Sequence, residues 1–137
     1  MCLAVYIASN HELPLVPWNE NAPSFYVSEL SDYDTEVRKQ FTVPDVRHAG
    51  SDAGCGCGFF KDGVVGQELI EAEQNYAKLA AYIEDLRSRG AAVELFSCWQ
   101  GDQSTKKEFN EQIDVDDLLE KNFEFKEKAF YEIKGKD

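Results

Sequence analysis

The feature that most constrains the fold is the segment from Gln67 to Arg89, in which apolar residues recur every three or four positions. This spacing predicts one apolar face on an α-helix of about six turns. Glu68 near its start and Arg87 near its end suit the helix dipole, and Gly90 predicts its end. Because an apolar face needs a second layer to cover it, the helix is predicted to pack on a sheet. The apolar positions are Leu69, Ala72, Tyr76, Leu79, Ile83 and Leu86.

Runs rich in β-forming residues predict the strands of that sheet. The run from Leu3 to Ala8 is nearly all apolar, which is typical of a central strand buried on both faces. From Phe123 to Ile133, apolar and charged residues alternate, which predicts a strand or hairpin at an edge. Three further strands are predicted at Phe25 to Leu30, Val46 to Ala49 and Ala92 to Trp99, and a brief one ends at Phe59 and Phe60.

Together these elements predict a single α+β domain over residues 1–137. Its sheet would be mixed and five- to six-stranded, with the long helix on one face. A chain of 137 residues is long enough for one hydrophobic core. The strand at Phe59, the helix and the strand from Ala92 to Trp99 would form a βαβ unit with parallel strands. Two short helices are predicted, one from Asp34 or Thr35 through Gln40 and one from Asp114 through Glu120, and the segment 101–114 is predicted to be a loop.

The sequence Gly54-Cys55-Gly56-Cys57-Gly58 holds two of the four cysteines of the chain. In an extended conformation the sulfurs of Cys55 and Cys57 would share one face. Two thiolates so placed suit a small non-catalytic or accessory protein that binds zinc, iron or an iron–sulfur cluster, or that handles sulfur. The glycines would let backbone N–H groups approach the sulfurs.

Two other interpretations of this pair remain open. As a thiol oxidoreductase site, Cys55 and Cys57 would alternate between dithiol and disulfide, with the bend at Gly56. As structural residues, both cysteines would pack as small apolar side chains. In that case the protein would be a non-catalytic interaction module, whose contact surface would be the proline-rich loop 10–24 around Trp18.

The string Cys55-Gly56-Cys57-Gly58-Phe59 resembles the cysteine signature of A-type iron–sulfur carriers. In that family a third cysteine far upstream joins the pair, and here the resemblance implies Cys2 for that place. The likeness covers five of 137 residues. The family's pair lies close to the chain end, whereas eighty residues follow Cys57 here. The resemblance is therefore one of local chemistry.

Two sulfurs are too few for tetrahedral zinc, so a metal site needs further ligands. Cys2 opens one predicted strand and Cys98 lies at the end of another, and these two ends meet if the strands are antiparallel. We predict the metal ligands Cys55, Cys57 and Cys98. Trp99 and the long loop after it indicate that the end of the sheet next to Cys98 is irregular, as is typical of a functional site. Cys2 is readily explained as a buried strand residue, and a lone histidine such as His48 more often has a structural role.

The charged residues of the chain limit the classes of partner that it is expected to bind. Acidic residues outnumber basic ones by 26 to 14, and the formal charge is −12. This charge repels nucleic acid and anionic membranes, so a protein partner, a small molecule or a basic ligand is expected. The N-terminal segment has no basic residues at its start, and its apolar run is too short for a signal peptide. A cytoplasmic protein is therefore expected, and its thiols would be reduced in that compartment. The sequence contains none of the common phosphate-binding, esterase or metalloprotease motifs.

Overall fold

A computed structural model describes residues 2–134. It contains a six-stranded mixed sheet and one long helix, α1 (Gln67–Ser88), which packs on one face of the sheet. The strands are β1 (Leu3–Ser9), β2 (Tyr26–Ser28), β3 (Asp45–Gly50), β4 (Val93–Trp99), β5 (Phe109–Ile113) and β6 (Ala129–Ile133). Three short 3₁₀ helices cover Thr35–Gln40, Gly56–Phe59 and Val115–Leu119. The predicted α+β fold is therefore confirmed.

The strand order is β2-β3-β1-β4-β6-β5. All neighbours are antiparallel except β5 and β6, which run parallel. The central strand β1 aligns Ala4 with Cys98 of β4 and, on its other side, Val5 with Ala49 of β3. β3 ends at Gly50, so the first residues of β1 have no β3 partner. The chain that follows β3 fills this place beside β1.

The helix α1 was predicted almost to the residue. It ends at Ser88, and Gly90 adopts the positive φ of 83° that favours glycine. Leu79 and Ile83 on its apolar face are fully buried against the sheet. The expected periodicity thus corresponds to the packing that the structure shows.

The βαβ prediction is wrong. The residues before α1 form the 3₁₀ helix Gly56–Phe59 and a turn, so no strand immediately precedes α1. β4, which follows α1, pairs antiparallel with β1 instead. Apolar periodicity identifies an element and its buried face, but it does not identify the neighbouring strand, which is set by contacts distant in sequence.

Three smaller predictions also need correction. The segment 101–114, expected to be a loop, contains β5. β6 is shorter than the predicted terminal strand and is an interior strand, because β5 forms the edge. Phe123 and Phe125 lie before β6 and pack into the helix-side core as part of an aromatic cluster with Tyr76.

The two faces of the sheet carry separate apolar clusters, as the alternation along β1 shows. Leu3, Val5 and Ile7 point towards α1 and join a large cluster. Ala4 and Tyr6 point to the opposite face and join a smaller cluster. Within residues 2–134, no helix has the length and apolar character needed to cross a membrane.

Candidate metal centre

The cysteine segment is a tight turn held by one buried serine. The Ser51 hydroxyl donates to the carbonyl of Cys55 and accepts from the N–H of Gly58 at 2.9 Å. The Ser51 N–H donates to the same Cys55 carbonyl at 2.9 Å. Cys55 precedes the 3₁₀ helix Gly56–Phe59, and its sulfur accepts from the N–H of Cys57 at 3.4 Å. The predicted extended conformation of this segment is therefore wrong, but the expected N–H···S contact is present.

Two glycines of the turn are required by close approach. A Cβ on Gly56 would lie 2.4 Å from the backbone oxygen of Leu3. A Cβ on Gly58 would lie 2.3 Å from the Ser51 hydroxyl oxygen. The absence of side chains lets the turn lie directly against the start of β1. The consequence is that the cysteines of the turn come next to the residue that precedes β1.

That residue is Cys2, and it completes a cluster of three thiols. The carbonyl of Cys2 accepts from the N–H of Gln100 at 2.8 Å, which fixes its backbone beside the end of β4. The sulfurs of Cys2, Cys55 and Cys57 all lie within 4.8 Å of one another. Cys2 is exposed and the other two are half-buried, so a ligand can reach the cluster from solvent. Three sulfurs at this separation are close enough to hold a metal ion.

Cys98, which was predicted as the third ligand, lies outside this cluster. Cys98 lies at the same end of the sheet, as expected for antiparallel strands, but it is fully buried in the small cluster on the face away from α1. Within residues 2–134, it belongs to no group of three potential ligands with this spacing. Burial, with the carboxylates of Asp102 and Asp34 adding to it, raises the pKa of Cys98 to about 12. Because the thiolate is the form that binds a metal, the raised pKa makes Cys98 a poorer ligand than an ordinary thiol.

A buried polar network lies on the same face as Cys98, around Asp34. The Oδ1 atom of Asp34 accepts hydrogen bonds from the hydroxyl of Tyr6 at 2.8 Å and from the amides of Gln103 and Gln100 at 3.1 and 3.2 Å. Its Oδ2 atom accepts from the hydroxyl of Ser31 at 2.8 Å. Burial alone would raise the pKa of Asp34, but the hydrogen bonds from Tyr6 and Ser31 outweigh it and hold that pKa below its usual value. Asp34 is therefore ionised at neutral pH.

This network borders a cleft of about 730 Å³ that reaches the thiol cluster. Asp34, Glu36, His48 and Cys55 are among the residues that line it. Burial lowers the pKa of His48, and the Asp34 carboxylate opposes only part of that effect. The imidazole is therefore neutral at neutral pH. It packs edge-on against Tyr6 at a centroid distance of 5.7 Å, which agrees with the structural role expected for it.

The long loop that contains Trp18 lies beside the cysteine turn. Val16 forms an isolated bridge with Val27 of β2, and Leu13 is buried in the helix-side core. The Trp18 indole is 41% exposed and lies against Gly54. The loop is thus attached to the body of the protein next to the thiols. Its role as a contact surface for a partner stays a prediction.

Sequence reasoning missed the residues that organise the site: Ser51, Asp34, Gln100 and Gln103. Ser51 precedes Cys55 by four residues, and the sequence indicates only that it belongs to a loop. Asp34 was interpreted as a helix cap, yet it makes no side-chain capping bond. The two glutamines follow β4 in a polar loop, and no sequence pattern distinguishes them from solvent-exposed residues.

Comparison of the chain with protein-family models, curated proteins and solved structures gave no match.

Proposed function

We propose that the protein binds a thiophilic metal ion, zinc or iron, through the sulfurs of Cys2, Cys55 and Cys57. The observation that carries the proposal is the mutual separation of the three sulfurs, which is within 4.8 Å. In a thiolate site with metal–sulfur bonds of about 2.3 Å, sulfurs stand roughly 4 Å apart. Binding therefore needs only a small contraction of the cluster, with no change of fold.

The number of protein ligands favours a metal that is exchanged or takes part in a reaction, as opposed to a metal with a purely structural role. Structural zinc sites have four protein ligands, whereas sites with three protein ligands keep a position open for water or substrate. Cys2 is exposed and Cys55 borders the cleft, so the open position would be accessible. An iron–sulfur cluster normally has four cysteine ligands, so a cluster here would need one ligand from a partner or substrate. A reducing compartment such as the cytoplasm would keep the three thiols available.

Metal content and affinity test the proposal. Protein purified without oxygen is analysed for transition metals, and metal-free protein is titrated with zinc or iron against a chromophoric chelator. We expect one equivalent of bound metal per chain. Each of Cys2→Ser, Cys55→Ser and Cys57→Ser should weaken binding at least about tenfold, because each removes a ligand. A metal content below a tenth of an equivalent, with no uptake on titration, would contradict the proposal.

Cys98→Ala supplies the matched control. It removes the fourth thiol, which lies outside the cluster, and should leave the metal affinity unchanged. If Cys98→Ala weakens binding as much as the cluster variants do, the assignment of the ligands is wrong.

A second candidate function, thiol redox chemistry, is favoured by the same geometry. Any two of the three thiols would form a disulfide by losing two protons and two electrons to an oxidant such as a peroxide. The sulfurs would have to approach from within 4.8 Å to a bond length of about 2.05 Å. Mild oxidation should then lower the thiol count by two and a dithiol should restore it. In this candidate, Cys55 and Cys57 are the predicted catalytic pair, and Cys2 is the thiol that remains.

A further inference from the structure

The cleft beside the thiol cluster has the charge of a cation-binding site. Among the described residues that line it, Asp34 and Glu36 carry negative charge, and no lysine or arginine is present. Glu36 forms a salt bridge with Lys39, but both side chains are largely exposed, so water and salt screen this pair. His48 adds no positive charge at neutral pH because burial lowers its pKa. The charge of the two carboxylates therefore disfavours anionic ligands here.

The hydrogen-bonding groups of the cleft favour a ligand rich in donors. Oδ1 of Asp34 already accepts three hydrogen bonds, whereas Oδ2 accepts one, from Ser31. Because Oδ1 accepts three hydrogen bonds, Oδ2 with one has capacity for at least one more donor. The network orients this carboxylate before any ligand arrives, which lowers the cost of binding. A protonated amine supplies both the charge and the donors that such a group accepts.

The cleft is also lined by a cysteine. Cys55 lines the cleft and also belongs to the three-thiol cluster. A ligand in this cleft is therefore bordered both by the Asp34 network and by one residue of the thiol cluster.

We propose that the cleft binds a small molecule that carries both a protonated amine and a thiol. The amine faces Asp34 and Glu36, and the sulfur becomes the fourth ligand of the metal held by Cys2, Cys55 and Cys57. On coordination the thiol loses its proton to solvent and its sulfur donates an electron pair to the metal, so no oxidant or reductant takes part. The sulfur contact rests on the proposed metal function, whereas the amine contact rests on the cleft alone.

Four small probes separate the two contacts. Cysteamine carries an ammonium group and a thiol, ethanolamine an ammonium group only, 2-mercaptoethanol a neutral thiol, and mercaptoacetate a thiol with a carboxylate. Each is titrated calorimetrically into the zinc-loaded full chain without oxygen, and the zinc retained by the protein is measured afterwards. We expect cysteamine to bind at least about tenfold more tightly than 2-mercaptoethanol, and mercaptoacetate to bind most weakly of the thiols. Equal binding of cysteamine and mercaptoacetate, or removal of the zinc by cysteamine with no ternary complex, would overturn the proposal.

Charge variants locate the amine contact. Glu36→Gln and Asp34→Asn should reduce cysteamine affinity severalfold and leave 2-mercaptoethanol affinity unchanged. Glu120→Gln is the matched control, since Glu120 is exposed and does not line the cleft. Glu36 is also exposed, so its variant should fold normally. No effect in either cleft variant would overturn the amine contact.

The failure of this proposal and that of the metal function are distinguishable. If the chain takes up no zinc, the metal function fails, and the amine contact is then tested on metal-free protein by NMR titration. Ethanolamine should perturb resonances of the cleft and ethylene glycol should not, and Glu36→Gln should weaken the ethanolamine response. Equal responses to ethanolamine and ethylene glycol would overturn the amine contact as well.

Discussion

The two faces of the sheet are packed in different ways. The face under α1 is covered by a large apolar cluster that includes Leu79 and Ile83 of the helix and Val5 and Leu95 of the central strands. The opposite face has a small apolar cluster, and no long helix of the described residues 2–134 lies over it. Next to that cluster lies the polar network around Asp34, and beyond the network the cleft opens towards the cysteines.

The difference indicates how stability and function are divided in this molecule. Apolar packing is the dominant favourable contribution to folding, and the helix side supplies most of it. On the other face the side chains satisfy one another by hydrogen bonds, which orients them and keeps a polar cleft open beside the thiols. We therefore expect the largest losses of stability from substitutions under α1, and the largest losses of binding from substitutions at the cysteine turn and the cleft.

The largest effect is expected under the helix. Leu79→Ala or Ile83→Ala should lower the free energy of unfolding by about 2 to 5 kcal/mol, since each leaves a cavity in the core. Both side chains are fully buried. Glu73→Ala on the exposed side of α1 is the control and should cost less than about 0.5 kcal/mol. Denaturant unfolding measures both, and similar values for core and surface variants would mean that α1 does not pack as described.

The second largest loss of stability is expected where the cysteine turn lies against β1. Gly56→Ala should cost about 1 to 3 kcal/mol, because its Cβ would lie 2.4 Å from the Leu3 carbonyl oxygen and must displace backbone. It should also weaken metal binding, since it moves Cys55 and Cys57 away from Cys2. Gly58→Ala should also weaken metal binding, because its Cβ would lie 2.3 Å from the hydroxyl oxygen of Ser51, the residue that holds the turn. A chelator competition measures both variants, and an unchanged affinity in Gly56→Ala would contradict the described approach.

A smaller effect is expected in the polar network. Tyr6→Phe removes a donor to Asp34 and should cost about 1.5 kcal/mol. The pKa of Asp34 is below its usual value in the folded protein, so its contribution to stability is present above about pH 4 and is lost as the pH falls through the folded pKa. Because Tyr6→Phe removes part of that lowering, the variant should show a shallower loss of stability below about pH 4 than the parent protein. Identical pH profiles from denaturant unfolding would show that the hydroxyl does not stabilise the carboxylate.

The smallest effect on the site is expected at Cys98. Cys98→Ala should cost about 1 kcal/mol as a minor core truncation and leave the proposed ligands intact. In the parent protein at neutral pH, a disulfide reagent should react quickly with three thiols and reach the fourth only on unfolding. The reason is that Cys98 is fully buried and burial raises its pKa to about 12. Four fast thiols in the folded protein would contradict this placement.

The packing of the sheet face under α1 was predictable from the sequence, because it depends on the spacing of apolar residues that are close together in the chain. The spacing of apolar residues in α1 and the stop at Gly90 report burial and termination directly. The long apolar run of β1 likewise predicted a central strand. These features depend on which side chains avoid water and require no knowledge of neighbouring elements.

The candidate metal site was only partly predictable, because it depends on which strands pair and on which loops lie against them. The motif around Cys55 and Cys57 correctly indicated two of the three clustered thiols. Antiparallel pairing of β1 and β4 brings Cys2 and Cys98 to one end of the sheet, as the sequence analysis allowed. Which of them meets the pair depends on the close approach of Gly56 to β1, a contact between residues more than fifty positions apart. The Asp34 network depends in the same way on contacts distant in sequence.

In the proposed function, three sulfurs of this chain bind one metal ion. X-ray absorption at the metal edge of protein loaded with one equivalent of zinc tests it most directly, because it counts sulfur neighbours. We predict three sulfurs at about 2.3 Å and one lighter atom. Cys2→Ser should reduce the count to two sulfurs and Cys98→Ala should leave it at three. A first shell of nitrogen and oxygen with one sulfur or none, or loss of a sulfur in Cys98→Ala, would contradict the account.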